Sequence, residues 1–130
     1  MAHEVIFLSS TGVFQLGNLT PFGVQTSVDN FLSFQEAKDW AEKNRTKFKC
    51  DIGGGFLEAR YVDALILTGP DFKISHASAV LGWSAARVLT LGKHVKKLGI
   101  GTVSLDRKVS ERTIVLTPDA RSSLLNYGGR

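Results

Sequence analysis

The chain has 130 residues, a mass of 14.2 kDa and a formal net charge of +4, which suits one domain or one domain with a small appendage. Its 43% hydrophobic and 22% charged residues exclude disorder of the whole chain, and its longest apolar runs, such as Val5–Leu8 and Ala64–Leu67, are far too short to span a bilayer. The N-terminus lacks a basic start before an apolar core, and the lone cysteine, Cys50, has no partner for an internal disulfide; both point to a cytoplasmic protein, nucleoid-associated if its partner is DNA.

In chain order, residues 4–8 and 12–16 are apolar and β-prone on either side of Ser9-Ser10-Thr11 and predict a β-hairpin. Residues 18–32 carry Asn18, Pro21, Gly23 and Asn30 around a third strand at Val24–Val28. Ser33-Phe34-Gln35-Glu36 is a capping box that opens a helix to about Lys47, with Phe34, Ala37, Trp40 and Ala41 on its core stripe. Gly53-Gly54-Gly55 breaks the pattern. Without a Lys-Ser/Thr pair or GxGxxG spacing it reads as a connector rather than a phosphate loop.

Phe56–Leu67 has helical spacing at Leu57, Tyr61, Ala64 and Leu65, and Thr68-Gly69-Pro70 stops it. Ser75 is expected to cap a short helix, His76–Leu81, and Gly82 supplies a turn. Ser84 then caps a longer helix reaching Leu98, closed by Gly99. Val88, Leu91, Val95 and Leu98 form its buried seam, with Gly92 an unfavourable helix residue inside it. Thr102–Leu105 alternates as a strand, Asp106 to Glu111 is a charged turn, and Thr113–Leu116 is the returning strand. Thr117-Pro118 opens a last helix to about Tyr127.

The charge is unevenly placed. Residues 1–50 carry five basic and five acidic groups, whereas residues 84–112 carry seven basic groups against two acidic ones, the densest positive stretch in the chain. Such a stretch favours an acidic partner. The order helix, short helix, tight turn, long helix, two-stranded ribbon, helix is that of a winged helix-turn-helix, in which one helix fits the major groove and the hairpin reaches the backbone or minor groove.

The segment Ile74-Ser75-His76-Ala77-Ser78-Ala79-Val80-Leu81-Gly82-Trp83-Ser84-Ala85-Ala86-Arg87-Val88 resembles the helix-turn-helix of bacterial multiple-antibiotic-resistance-regulator (MarR) type repressors, with their small-residue helix contacts and Leu-Gly-x-Ser turn. Lys93–Ile100 resembles the end of that helix, and Ser110–Arg121 resembles the return strand of the wing with its acidic-Arg pair and closing Leu-Thr. The resemblance covers roughly residues 56–127. It implies a repressor-like transcriptional regulator, with residues 84–93 facing the groove and Arg112 as the wing arginine. The chain departs from the family in having strands plus one helix, rather than long terminal helices, around this segment.

The fold expected is therefore α+β: residues 53–130 as a winged helix-turn-helix domain and residues 1–52 as a β-hairpin plus helix extension. The extension is left open as a dimerising unit, a binder of a partner protein through the hairpin, or a cover for the core. The function expected is sequence-specific binding of double-stranded DNA by a homodimer, without catalysis, cofactor or membrane. Ser84, Ala86, Arg87, Thr90 and Lys93 are expected toward the groove, with Arg87 the base reader because a guanidinium can pair with both acceptors of guanine. Lys96 and Lys97, with Lys93, are expected on phosphates, and Arg107 and Lys108 at the wing tip. The competing expectation is a protein-interaction winged helix in a replication, transcription or phage-encoded inhibitory complex. His76 and His94 have no ligand-spaced partners for zinc, and Cys50, with no histidine motif beside it, reads as an inert thiol.

Overall fold

The computed structural model describes residues 3–9 and 11–128, with side chains omitted for His3 and residues 27–30. The fold is α+β, and the chain divides into two compact units, Met1–Asp51 and Ile52–Arg130.

Unit 1 contains β1 (His3–Leu8), β2 (Phe14–Thr20), β3 (Gly23–Phe31), α1 (Phe34–Lys43) and β4 (Phe48–Ile52), whose last residue belongs to unit 2. The strands lie in the order β3-β2-β1-β4. The β1–β2 and β2–β3 pairs are antiparallel, while β4 runs parallel to β1. The expected hairpin is thus present, but it is the centre of a larger mixed sheet. β2 continues through Asn18 to Thr20 because the reversal occurs at Pro21-Phe22, where the Thr20 hydroxyl accepts from Phe22 N at 3.2 Å and donates to Gly23 O at 2.8 Å.

The first helix is capped as its sequence dictates, Ser33 Oγ accepting from Glu36 N at 3.1 Å. It ends at Lys43, not Lys47. Asn44 Nδ2 donates back to Trp40 O at 2.8 Å, and Arg45 takes a positive φ of 51°. Those two residues end the helix and free Phe48, Cys50 and Ile52 to point inward from a strand. Phe34, Ala37 and Ala41 are buried, and Trp40 is half-buried with its ring centroid 6.1 Å from that of Phe31.

Unit 2 contains β5 (Gly55–Glu58), α2 (Ala59–Thr68), β6 (Asp71–Lys73), α3 (Ile74–Leu81), α4 (Ala85–Lys97), β7 (Gly101–Val103), a 3-10 turn (Val109–Glu111), β8 (Thr113–Leu116) and α5 (Pro118–Asn126). Two sequence expectations are corrected at its start. Gly53 and Gly54 both have positive φ, 59° and 94°, which makes the two-residue turn that joins strands. The residues after it, Gly55 to Glu58, therefore alternate inward and outward as a strand, and the helix begins at Ala59 rather than Phe56. Ser75 is likewise no cap: α3 starts at Ile74, two residues earlier than expected, with Lys73 at its N-cap.

β6, β8 and β7 form a three-stranded antiparallel sheet in that order. Its register aligns Phe72, Ile114 and Val103, and Ile114 is fully buried. Here Gly92 finds its reason. A Cβ on it would lie 2.8 Å from Ile114 Cδ1 and 3.1 Å from Val103 Cγ2, so α4 approaches the sheet closely only because that side chain is missing. Tyr61, Val62 and Leu65 of α2, Ile74 and Ala77 of α3, Val88, Leu91 and Val95 of α4, and Ala120 and Leu124 of α5 supply the rest of the core. Among the described residues, no helix is long and apolar enough to cross a membrane.

Candidate nucleic-acid interface

The geometry of α4 follows from its two ends and its seam. Gly82 ends α3 in the left-handed region (φ 67°), and Ser78 Oγ donates to the Trp83 carbonyl, tying the two sides of the turn. Ser84 Oγ then accepts from Arg87 N at 3.2 Å and starts α4. Val88, Leu91 and Val95 are fully buried, and Leu98 is half-buried as the C-cap. The helix rotation therefore fixes what faces outward.

Ala86, Thr90, Lys93 and Lys97 recur at i, i+4, i+7 and i+11, opposite that seam, and all four are exposed. Small side chains occupy the N-terminal half of this stripe and lysines the C-terminal half. Thr90 Oγ1 donates to Ala86 O at 3.0 Å. Ser84 is exposed at the N-cap, where its oxygen is already engaged. Lys96 is exposed one flank round, on the side of Gly92 and the sheet.

Arg87 sits on the other flank, toward α2. Its guanidinium lies over the Trp83 ring, 4.0 Å from the centroid, a stacked geometry that restricts the side chain while leaving its N–H edge free to donate. The stack continues inward. Trp83 meets Tyr61 edge-on at 6.4 Å, His94 lies 5.1 Å from Tyr61, and the Arg60 guanidinium covers Tyr61 at 4.7 Å. Tyr61 is buried, with exposed Arg60 and His94 against its ring and exposed Arg87 joined to it through Trp83. Sequence reading missed Arg60 and His94 in this role. The signal available was the i, i+7 spacing of Arg87 and His94 on one helix flank; the meeting with α2 is non-local.

The loop from Ser104 to Arg112 is braced by hydrogen bonds. Thr113 N donates to Ser104 Oγ at 2.8 Å, Ser104 Oγ donates to Asp106 Oδ2 at 2.7 Å, and Arg112 Nε donates to Asp106 O at 2.9 Å. The 3-10 turn within it packs against α3 and α4. Arg112, matched to the wing arginine by resemblance, is thus half-buried and holds the loop together through Nε. Arg107 and Lys108 are exposed. Leu105, expected to continue the strand, lies beyond its end and is 89% exposed.

Charge pairing sharpens the surface. Glu58 is taken by Arg60, Glu111 by Lys73, and Asp71 by Arg121. No acidic residue occurs within α4. Among the described residues, Lys93, Lys96, Lys97, Arg107 and Lys108 make no ion pair. Among the described residues of unit 2, the unopposed positive charge therefore collects on α4 and on the loop after β7. Among the described residues, no group of three His, Cys, Asp or Glu side chains is placed to hold a metal ion.

Comparison of the chain with protein-family models, with curated proteins and with solved structures finds no match.

Proposed function

We propose that residues 52–130 are a winged helix-turn-helix that binds double-stranded DNA without catalysis, acting as a repressor-like transcriptional regulator. In this reading α3 and α4 are the helix-turn-helix, α4 enters the major groove, and β7, β8 and the loop between them are the wing. The order α2, β6, α3, α4, β7, β8 supports it, as does the resemblance of residues 56–127 to MarR-type repressors. The observation that carries it is the stripe Ala86, Thr90, Lys93 and Lys97. It is exposed opposite the buried seam, small where a helix must approach base edges and cationic where it must meet phosphates.

Roles follow from position. Arg87, held over Trp83, reads guanine from the flank of the stripe. Ser84, Ala86 and Thr90 contact base edges or the thymine methyl group. Lys93, Lys96 and Lys97 neutralise phosphates, and Arg107 and Lys108 reach the adjacent backbone. Arg112 acts through the loop it braces. Titration of labelled duplex at several salt concentrations tests the reading. Affinity is expected to fall steeply with salt, and Lys93→Ala with Lys97→Ala is expected to flatten the log–log slope by about 2, one lost phosphate contact each. A slope unchanged in the double variant refutes the assignment. As a regulator reading paired half-sites the protein is expected to be a homodimer, which light scattering measures.

A second reading, a protein-interaction module, is favoured by unit 1. Its edge strand β3 is bordered by Phe22, 96% exposed, and Leu32, 83% exposed, and an edge strand can accept a partner strand. Weak duplex binding at low salt, without sequence preference, would favour this reading.

A further inference from the structure

We propose that Leu105 is an apolar wedge that enters the minor groove and unstacks a flexible base step; this rests on the duplex reading above and adds a residue to it. Three observations converge on that side chain. It is 89% exposed, although the loop carrying it is hydrogen-bonded on both sides of it. Its neighbours Ser104 and Asp106 are both pinned, by Thr113 N to Ser104 Oγ at 2.8 Å, Ser104 Oγ to Asp106 Oδ2 at 2.7 Å and Arg112 Nε to Asp106 O at 2.9 Å. Leu105 therefore stands exposed between two hydrogen-bonded residues.

The third observation is its company. Arg107 and Lys108 follow it, exposed and without ion pairs among the described residues; Asp106, hydrogen-bonded to Ser104, keeps its charge, so residues 105–108 carry a net charge of +1. An isolated exposed leucine is ordinary. A pre-positioned leucine beside two free cations matches what a duplex offers in its minor groove: phosphates along the rims and an apolar, stacked interior. Wedges of this type pry open pyrimidine–purine steps, which unstack at least cost. A protein partner is disfavoured by the charge of the flanks and appears as an outcome of the test.

The test uses the full chain and a mixed-sequence duplex with several TA steps, 2-aminopurine replacing the adenines. The wild type is expected to bind at low salt and raise the 2-aminopurine fluorescence as bases unstack. Leu105→Ala is expected to bind about tenfold more weakly with no fluorescence rise and an unchanged salt slope, since no charge is lost. Leu105→Met is expected to restore the rise. Both variants alter an exposed side chain, and circular dichroism verifies that they fold. A Leu105→Ala protein that binds and unstacks as the wild type does overturns the wedge and leaves the duplex reading standing. A wild type that binds without a fluorescence rise does the same. A wild type with no duplex affinity at low salt overturns both, and points Leu105 toward a protein partner.

Discussion

Ala86→Glu separates folding from binding, because the two should respond in opposite directions. Ala86 is the second residue of α4, exposed, and the first turn of that helix contains no acidic side chain. A carboxylate there meets the positive end of the helix and stabilises it by about 0.3–1 kcal/mol, against a few tenths lost in helix propensity. Thermal stability should therefore be unchanged or slightly raised. Against a duplex the same charge lies on the face assigned to the groove. A phosphate about 5 Å away, at an effective dielectric of roughly 20–80, repels it by about 1–3 kcal/mol, a loss of about five- to 150-fold in affinity. Ser122→Glu, an equal charge change at an exposed α5 position, controls for net charge and should cost far less. The assays are calorimetric melting and fluorescence anisotropy with labelled duplex at fixed salt. Equal weakening by the two variants would mean that only net charge matters and that α4 has no privileged face.

Four further outcomes are expected. Arg87→Ala should weaken binding by about 1–3 kcal/mol and broaden the sequences recovered from a random pool; an unchanged recovered sequence set would remove Arg87 as a base reader. Gly92→Val should destabilise the fold by about 3 kcal/mol in urea titration, the clash with buried Ile114 outweighing the better helix propensity of valine, and a neutral result would contradict the close approach of α4 to the sheet. Leu91→Ala, at a fully buried seam position, should cost about 2–5 kcal/mol by the same titration; less than 1 kcal/mol would place the seam elsewhere. Arg112→Ala should leave global stability within about 1 kcal/mol yet speed amide exchange across residues 104–112, where it now braces the loop through Asp106 O; unaltered exchange would show that the loop holds itself.

What sequence alone determined lies where the signal is local. Ser33, Ser84 and Thr117 cap helices because each hydroxyl reaches a backbone N–H three residues on, and Gly82 turns the chain because only glycine enters the left-handed region without cost. The seam of α4 and its exposed cationic face were legible for the same reason, one helical period written into 13 residues. Tertiary structure decided the rest. Three-residue β6 offers a single inward side chain, Phe72, and exists only because β8 pairs with it some forty residues later. Phe48–Ile52 carries no local signal that assigned it an element, and Gly55–Glu58 reads as connector and helix; the reversals at Arg45 and Gly53-Gly54 place both in strands. Gly92 looked like a defect of its helix and proved to be the space for Ile114. The cluster of Arg60, Tyr61, Trp83, Arg87 and His94 joins residues from α2, the turn and α4. Periodicity records which way a side chain faces on its own element; which element it meets is set by packing between segments far apart in the chain, and no local pattern encodes that.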